Sequence, residues 1–187
     1  MKCSAITGSV FEQHNRADHI ECDDRLRSII ARLPEDLTIR APVAAEKKDL
    51  LRIHDPGYLS WLRRQCALHT DKDGFDTPGC TCGYFVGSMF IPGFLDANTY
   101  LCPQSCDAVT YAAGSAVAAA ERALAGENCF ALVRPPGHHA ASGWAMGFCI
   151  VNNIAVAAAK ALTSVDRVAI VDWDVHHGNG TQDIFYG

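Results

Sequence analysis

No apolar run in this sequence is long enough to cross a bilayer; the nearest, alanine-rich 111–125, is broken by Glu121 and Arg122. A basic block is missing as well. Lys and Arg number 16 against 21 Asp and Glu, and the net charge of −5 argues against nucleic-acid binding as the main activity. There is no GxGxxG, no P-loop and no GxSxG, so dinucleotide binding, phosphate-loop chemistry and serine hydrolysis lack their usual signatures. Nor is there a CxxC. The nine cysteines are odd in number, and several, such as Cys3, Cys129 and Cys149, sit in apolar stretches. They read as small, buried, reduced thiols of a cytosolic protein. Cys80-Thr-Cys82 and Cys102-x-x-x-Cys106 could hold a metal but lack the paired spacing of a structural site. Met1-Lys2-Cys3 leads straight into a strand-like segment with no signal-peptide pattern, so a cytoplasmic location is expected.

What is present suits one α/β domain. A length of 187 residues with 49% hydrophobic content can fill a sizeable core. Residues 3–10 read as a first strand and 11–24 as a polar loop. A helix is expected at 24–33, with apolar side chains at 26, 29, 30 and 33 and Pro34 as its stop. A short strand at 37–40, surface helices at 46–54 and 56–64, and alanine-rich helices at 103–125 and 150–162 follow. Residues 69–99 are glycine-rich and read as a long functional loop. Third and fourth strands are expected at 129–133 and 167–171. The unbroken apolar run Val168–Val171 implies that the fourth is buried on both faces of a parallel sheet. In such a sheet, ligands bind beyond the carboxyl ends of the strands.

Two polar clusters stand at those ends. Asp172-Trp-Asp174-Val-His176-His177-Gly-Asn179 follows the fourth strand, and Arg134-Pro-Pro-Gly-His138-His139 follows the third. In an extended chain Asp172, Asp174 and His176 point to one side, as ligands of a single metal ion would. Carboxylate oxygen and imidazole nitrogen are zinc donors in sites that keep a position open for water. In the other cluster, prolines and a glycine hold two adjacent imidazoles on a stiff backbone, which suits proton transfer beside a metal. Together they point to metal-assisted hydrolysis of an amide or similar bond. A plainer alternative stays open, in which the aspartates cap the next helix and the histidines pack.

With Met146-Gly-Phe-Cys-Ile-Val-Asn-Asn153, Tyr100-Leu-Cys-Pro103, Asp18-His-x-Glu21 and Asp24-Arg25 added, the sequence resembles the zinc-dependent histone deacetylase family. The wider group includes acetylpolyamine amidohydrolases, and Trp173 and Asn179 resemble its class II branch. The resemblance implies an arginase-like three-layer α/β/α fold with a mainly parallel sheet, residues 1–187 being the amino-terminal part of a single domain. It implies Zn2+ held by Asp174 and His176, His139 as general base, His138 as its electrostatic partner and Asp172 orienting His138. It also allows a structural monovalent cation near Asp172. Asn179, where many relatives carry aspartate, would hold the second imidazole. Gly147 and Phe148 would line a channel for the acetyl-lysine stem, unless Phe148 is ordinary core, and Asn98 would anchor the substrate amide.

The implied substrates are acetylated lysine side chains of proteins or acetylated small amines, without nucleic-acid or membrane partners. In a eukaryote the location could extend to the nucleus. Family members run on for about as long again. The third zinc ligand, a second aromatic wall, a carbonyl-polarising tyrosine and strands from the middle of the sheet are therefore expected to be missing from this chain. That implies little or no activity alone, or a non-catalytic interaction module.

Overall fold

A computed structural model describes residues 3–16, 19–68, 83–86 and 89–186; Asp18 and the Cys80-Thr-Cys82 pair lie outside them. In chain order the elements are β1 (Cys3–Ile6), α1 (Val10–Gln13), α2 (Asp24–Ile30), β2 (Thr38–Arg40), α3 (Lys47–Leu50), α4 (Pro56–Leu68), β3 (Gly83–Val86), β4 (Met89–Pro92), α5 (Ser105–Leu124), β5 (Asn128–Ala131), α6 (Asn153–Ala161) and α7 (Asn179–Phe185). The fold is α/β. Strand β1 lies between β2 and β5 and runs parallel to both, with Ala5 opposite Ile39 and Phe130. β3 and β4 form a separate antiparallel hairpin.

Small side chains let α5 pack closely: Ala108, Ala112, Ala113, Gly114 and Ser115 are buried along it, the helix packing on β5 and α6, with Gly114 and Ser115 against residues 43–45. The main core joins Leu50 and Leu62 to Leu101, Val109, Val117, Ile150 and Val156. Among the described residues no helix is long and apolar enough to cross a membrane.

Several expectations need correction. Residues 167–171 are not a strand, and Val171 and Val175 are 77% and 92% exposed. An apolar run becomes a doubly buried strand only when strands flank it, and no described strand pairs with this one. The expected loop 11–24 contains most of α1, whose Phe11 is buried against Leu26 and Ala112. The glycine-rich 69–99 contains the hairpin, and α7 rises directly out of the second polar cluster. Cys3 is exposed rather than buried, since it begins the strand. Cys102 and Cys106 do not converge on one point: the first thiol faces Gln13 and His14, the second the Leu62 carbonyl of α4.

A buried polar knot ties the early segment to the end of β5. Arg134, completely buried, donates from Nε and Nη2 to the Glu21 carboxylate at 2.7 Å each, and from Nη1 to the Phe11 carbonyl at 2.9 Å. The Tyr100 hydroxyl donates to the His14 carbonyl at 3.1 Å, and the His14 ring stacks on Tyr100 at 4.5 Å. Burial, helped by the Arg134 charge, lowers the His14 pKa from 6.5 to about 3, so the folded protein holds this ring neutral.

An unfolded chain would protonate His14 between about pH 6.5 and about 3 while the folded chain would not. Stability therefore falls as pH drops through that window, and His14→Gln should flatten the fall. Denaturant unfolding at several pH values checks this; equal slopes in both proteins would contradict it.

Candidate active site

Residues 132–139 leave the carboxyl end of β5, and 172–179 pass beside them. The structure brings the two clusters together through two side-chain bonds. His138 Nδ1 lies 2.8 Å from Asp172 Oδ2, and His139 Nδ1 lies 2.5 Å from Asn179 Oδ1. The His138 and His139 rings are 4.1 Å apart, and His176 stands 6.0 Å from His139.

The 172–176 segment holds its own shape. Asp172 Oδ1 accepts from the Asp174 amide at 3.1 Å, and Asp174 Oδ1 accepts from the His176 amide at 2.8 Å. These are consecutive aspartate turns, each carboxylate taking the N–H two residues on. The same Asp174 oxygen is 2.9 Å from His176 Nδ1. The His176 amide and ring hold the Asp174 carboxyl below the usual carboxylate range. Burial pushes Asp172 up, but the bonds from His138 and the Asp174 amide outweigh it, and its pKa is also lowered. Asp172 thus turns to His138, while Asp174 and His176 form a mostly exposed O/N pair.

That pair suits a divalent metal in donor type: a carboxylate oxygen and an imidazole nitrogen already within 2.9 Å. Among the described residues no group of three His, Cys, Asp or Glu is set to hold a metal. Catalytic zinc sites use three protein ligands, and the pair alone falls short of that number.

The backbone around the histidines is held by side chains to which the sequence motifs assigned no role. Asn152 caps α6 by accepting from the Ala155 amide at 3.1 Å, while its own amide donates to the Ala140 carbonyl at 2.9 Å. His54 Nε2 accepts from the Asn152 amide at 3.0 Å, and burial lowers the His54 pKa, keeping the ring neutral and able to accept. A Cβ on Gly180 would collide with the Ala140 carbonyl, which shows how closely α7, and with it Asn179, sits on the histidine loop. The cap pattern around Asn152 was readable from sequence; His54, 98 residues away, was not.

Gly147 and Phe148 both have positive φ, +57° and +70°. For glycine this is easy; for phenylalanine it is strained and persists only where surroundings enforce it. Here the Gly147 amide donates to Asp96 Oδ2 at 3.1 Å, and the Phe148 amide to Thr99 Oγ1 at 2.8 Å. Asp96 Oδ1 also takes the Asn98 and Thr99 amides. The turn brings Gly147 against the His139 ring, where a side chain would clash, and sets Phe148 edge-on to His19 at 5.5 Å. Phe148 is half-buried and belongs to neither hydrophobic core cluster. Asn98 is exposed beside this turn, and no bond from its side chain reaches the histidines. Asp96 and Thr99, not singled out from sequence, make the turn. Burial pushes the Cys149 thiol up to about 12, which makes it a packing group and not a nucleophile.

Comparison with known proteins places this geometry. The histone deacetylase domain model matches residues 19–187. The histone deacetylase-like amidohydrolase of Pseudomonas aeruginosa is 41% identical over 176 residues, covering 91% of this chain and 40% of that protein. A probable deacetylase of Methanothermobacter thermautotrophicus is 36% identical over 181 residues, covering 94% and 48%. The polyamine deacetylase HDAC10 of Rattus norvegicus is 34% identical, covering 89% and 27%. Among solved structures, the HD domain of HDA15 superposes with a TM-score of 0.79 at 31% identity, over 98% of this chain and 50% of that one. The chain thus spans half or less of the length of these relatives.

Removing the acceptor that holds the strained turn should be costly. Asp96→Ala strands three backbone amides and is expected to destabilise by about 1–3 kcal/mol, whereas Asn98→Ala on the exposed position should stay within about 0.5 kcal/mol. Equal losses in chemical denaturation would refute the assignment.

Proposed function

Because this chain belongs to the histone deacetylase domain family, whose named members are deacetylases and amidohydrolases, we propose that it supplies the base and two metal ligands of a zinc-dependent centre. That centre hydrolyses the acetyl amide of acetyl-lysine in proteins. The observation that carries this reading is the 2.5 Å contact between His139 Nδ1 and Asn179 Oδ1. A carboxamide oxygen can only accept, so Nδ1 carries a proton, and in the neutral ring Nε2 is left bare. Met146 Sδ, 3.7 Å from the Asn179 amide nitrogen, supports that orientation of the carboxamide.

With Nε2 free, His139 takes a proton from water and returns it to the leaving amine. His138, anchored on the Asp172 carboxylate, stands beside it as its electrostatic partner. Asp174 and His176 would hold the zinc, which when bound supplies Lewis acidity to the acyl oxygen and to water. A third ligand comes from polypeptide outside the described residues. Asp172 is also where a monovalent cation would sit. Phe148 walls the path of the lysine stem, with Gly147 giving His139 its room, and Asn98 stands at the rim where a substrate amide would dock. An acetylated polyamine or similar small amine is the second reading, in keeping with the name of the rat relative.

The test uses the domain at the full length of its relatives, with acetyl-lysine peptides and acetylated polyamines as competing substrates. A chelator should abolish turnover, and His139→Ala should lower kcat by at least about a hundredfold while zinc stays bound. Activity indifferent to both changes would overturn the assignment. Faster turnover of polyamines would move it to the second reading.

A further inference from the structure

Beside the turn of Gly147 and Phe148, the start of α4 and the loop 143–145 enclose an aromatic cleft of about 700 Å³. Ala145 in its wall stands two residues before Gly147, and Leu95 precedes Asp96, which takes the Gly147 amide. Trp61 and Trp144 both line it. Tyr58 backs Trp61 from one helical turn earlier, the rings 6.1 Å apart and 26° from parallel, and gives its hydroxyl proton to the Ile150 carbonyl at 2.8 Å. Trp144 is 45% exposed on its loop. Asp55 is the one charged residue among the described residues that line the cleft. Its amide donates to the Ser142 carbonyl at 2.9 Å, and a Cβ on Gly143 would come within 2.9 Å of Asp55 Oδ2, so the glycine leaves the carboxylate its place next to the Trp144 segment. Asp55 is exposed, and among the described residues no Lys, Arg or His closes an ion pair on it.

From this arrangement we propose that the cleft is a specificity subsite for an arginine side chain flanking the acetyl-lysine, an inference that rests on the deacetylase reading above. Indole faces and an exposed carboxylate both attract positive charge. An apolar guest would gain from Trp61 and Trp144 but would strip water from Asp55 and return it no partner. An anion would meet Asp55 as a like charge. A guanidinium suits both kinds of wall: its flat face stacks on an indole, while its edge donates two parallel N–H bonds to a carboxylate. An ammonium is a compact, more strongly hydrated charge and matches the indoles less well.

Position makes the cleft a matter of substrate choice. It adjoins the turn that carries Phe148, the wall of the lysine path, so a residue flanking the acetyl-lysine is the part of a peptide that reaches it. None of His138, His139, Asp174 and His176 lines the cleft, and its occupation leaves them as they are. Binding gained there is equal in the ground state and the transition state, and appears in KM rather than kcat.

The test uses the domain at the full length of its relatives, with acetyl-lysine peptides that carry arginine or its neutral isostere citrulline at each nearby position on either side. At one position arginine should raise kcat/KM at least about fivefold over citrulline, through KM. Trp144→Leu and Asp55→Asn should each bring that ratio below about twofold while kcat on the citrulline peptide stays unchanged. A second measurement needs no turnover. In nitrogen-15 NMR the indole N–H signals of Trp61 and Trp144 should move on adding the arginine peptide with alanine in place of acetyl-lysine, and stay where they are with its citrulline counterpart. Turnover without an arginine preference at any position, a preference that survives both substitutions, or unmoved indole signals would overturn the subsite. Indole signals that move while no acetyl-lysine peptide is turned over would overturn the deacetylase reading instead.

Discussion

A guanidinium with no access to water organises the molecule. Arg134 and Glu21 are 113 residues apart, yet meet through two parallel 2.7 Å bonds in which the arginine is fully buried. Breaking such a pair by removing one member typically costs about 3–5 kcal/mol, because the other charge is left stranded. What the pair secures is position. Arg134 is the last residue before Pro-Pro-Gly-His-His, so its anchorage sets where the histidine loop begins. Its remaining bonds run to the Phe11 carbonyl and, more loosely, to the Tyr100 hydroxyl, which draws the 11–21 and 94–102 segments against the same point.

From that anchor outward, the site is built of loops whose polar backbone groups are met by side chains rather than by a sheet ladder. Asn152 bridges the start of α6 to Ala140, Asp96 and Thr99 clamp the turn at Gly147 and Phe148, and Asp172 and Asp174 close two turns on themselves. This explains how a positive φ at Phe148 is tolerated: the Gly147 and Phe148 amides would lose their acceptors if the turn relaxed. It also explains why imidazoles with different partners can sit 4.1 Å apart. One ring rests on a carboxylate, the other on a carboxamide.

Much of this was legible in the residues. The parallel sheet followed from alternation of strands and helices, and the first polar cluster leaves the carboxyl end of β5, where such sheets bind ligands. Asp174 and His176 do lie side by side, but through an aspartate turn and not an extended chain, and Asp172 turns away to His138. Three things were not legible. Val168–Val171 has the composition of a buried strand, but burial depends on neighbours that composition does not supply, and here the segment is largely exposed. The clamp on Phe148 joins residues about 50 positions apart, and Asp96 looks like any loop aspartate until Gly147 is placed beside it. Leu62 and Cys106 are likewise separated by a hairpin, and only the packing of α4 on α5 brings the Cys106 thiol to the Leu62 carbonyl.

The central claim is that Asn179 fixes His139 in one neutral tautomer with Nε2 bare. Nitrogen-15 NMR of the histidine side chains near neutral pH measures this directly. The account expects His139 to show a protonated Nδ1 and an unprotonated Nε2, with the distinction lost in Asn179→Ala. A His139 ring carrying its proton on Nε2 in the unaltered protein would contradict it.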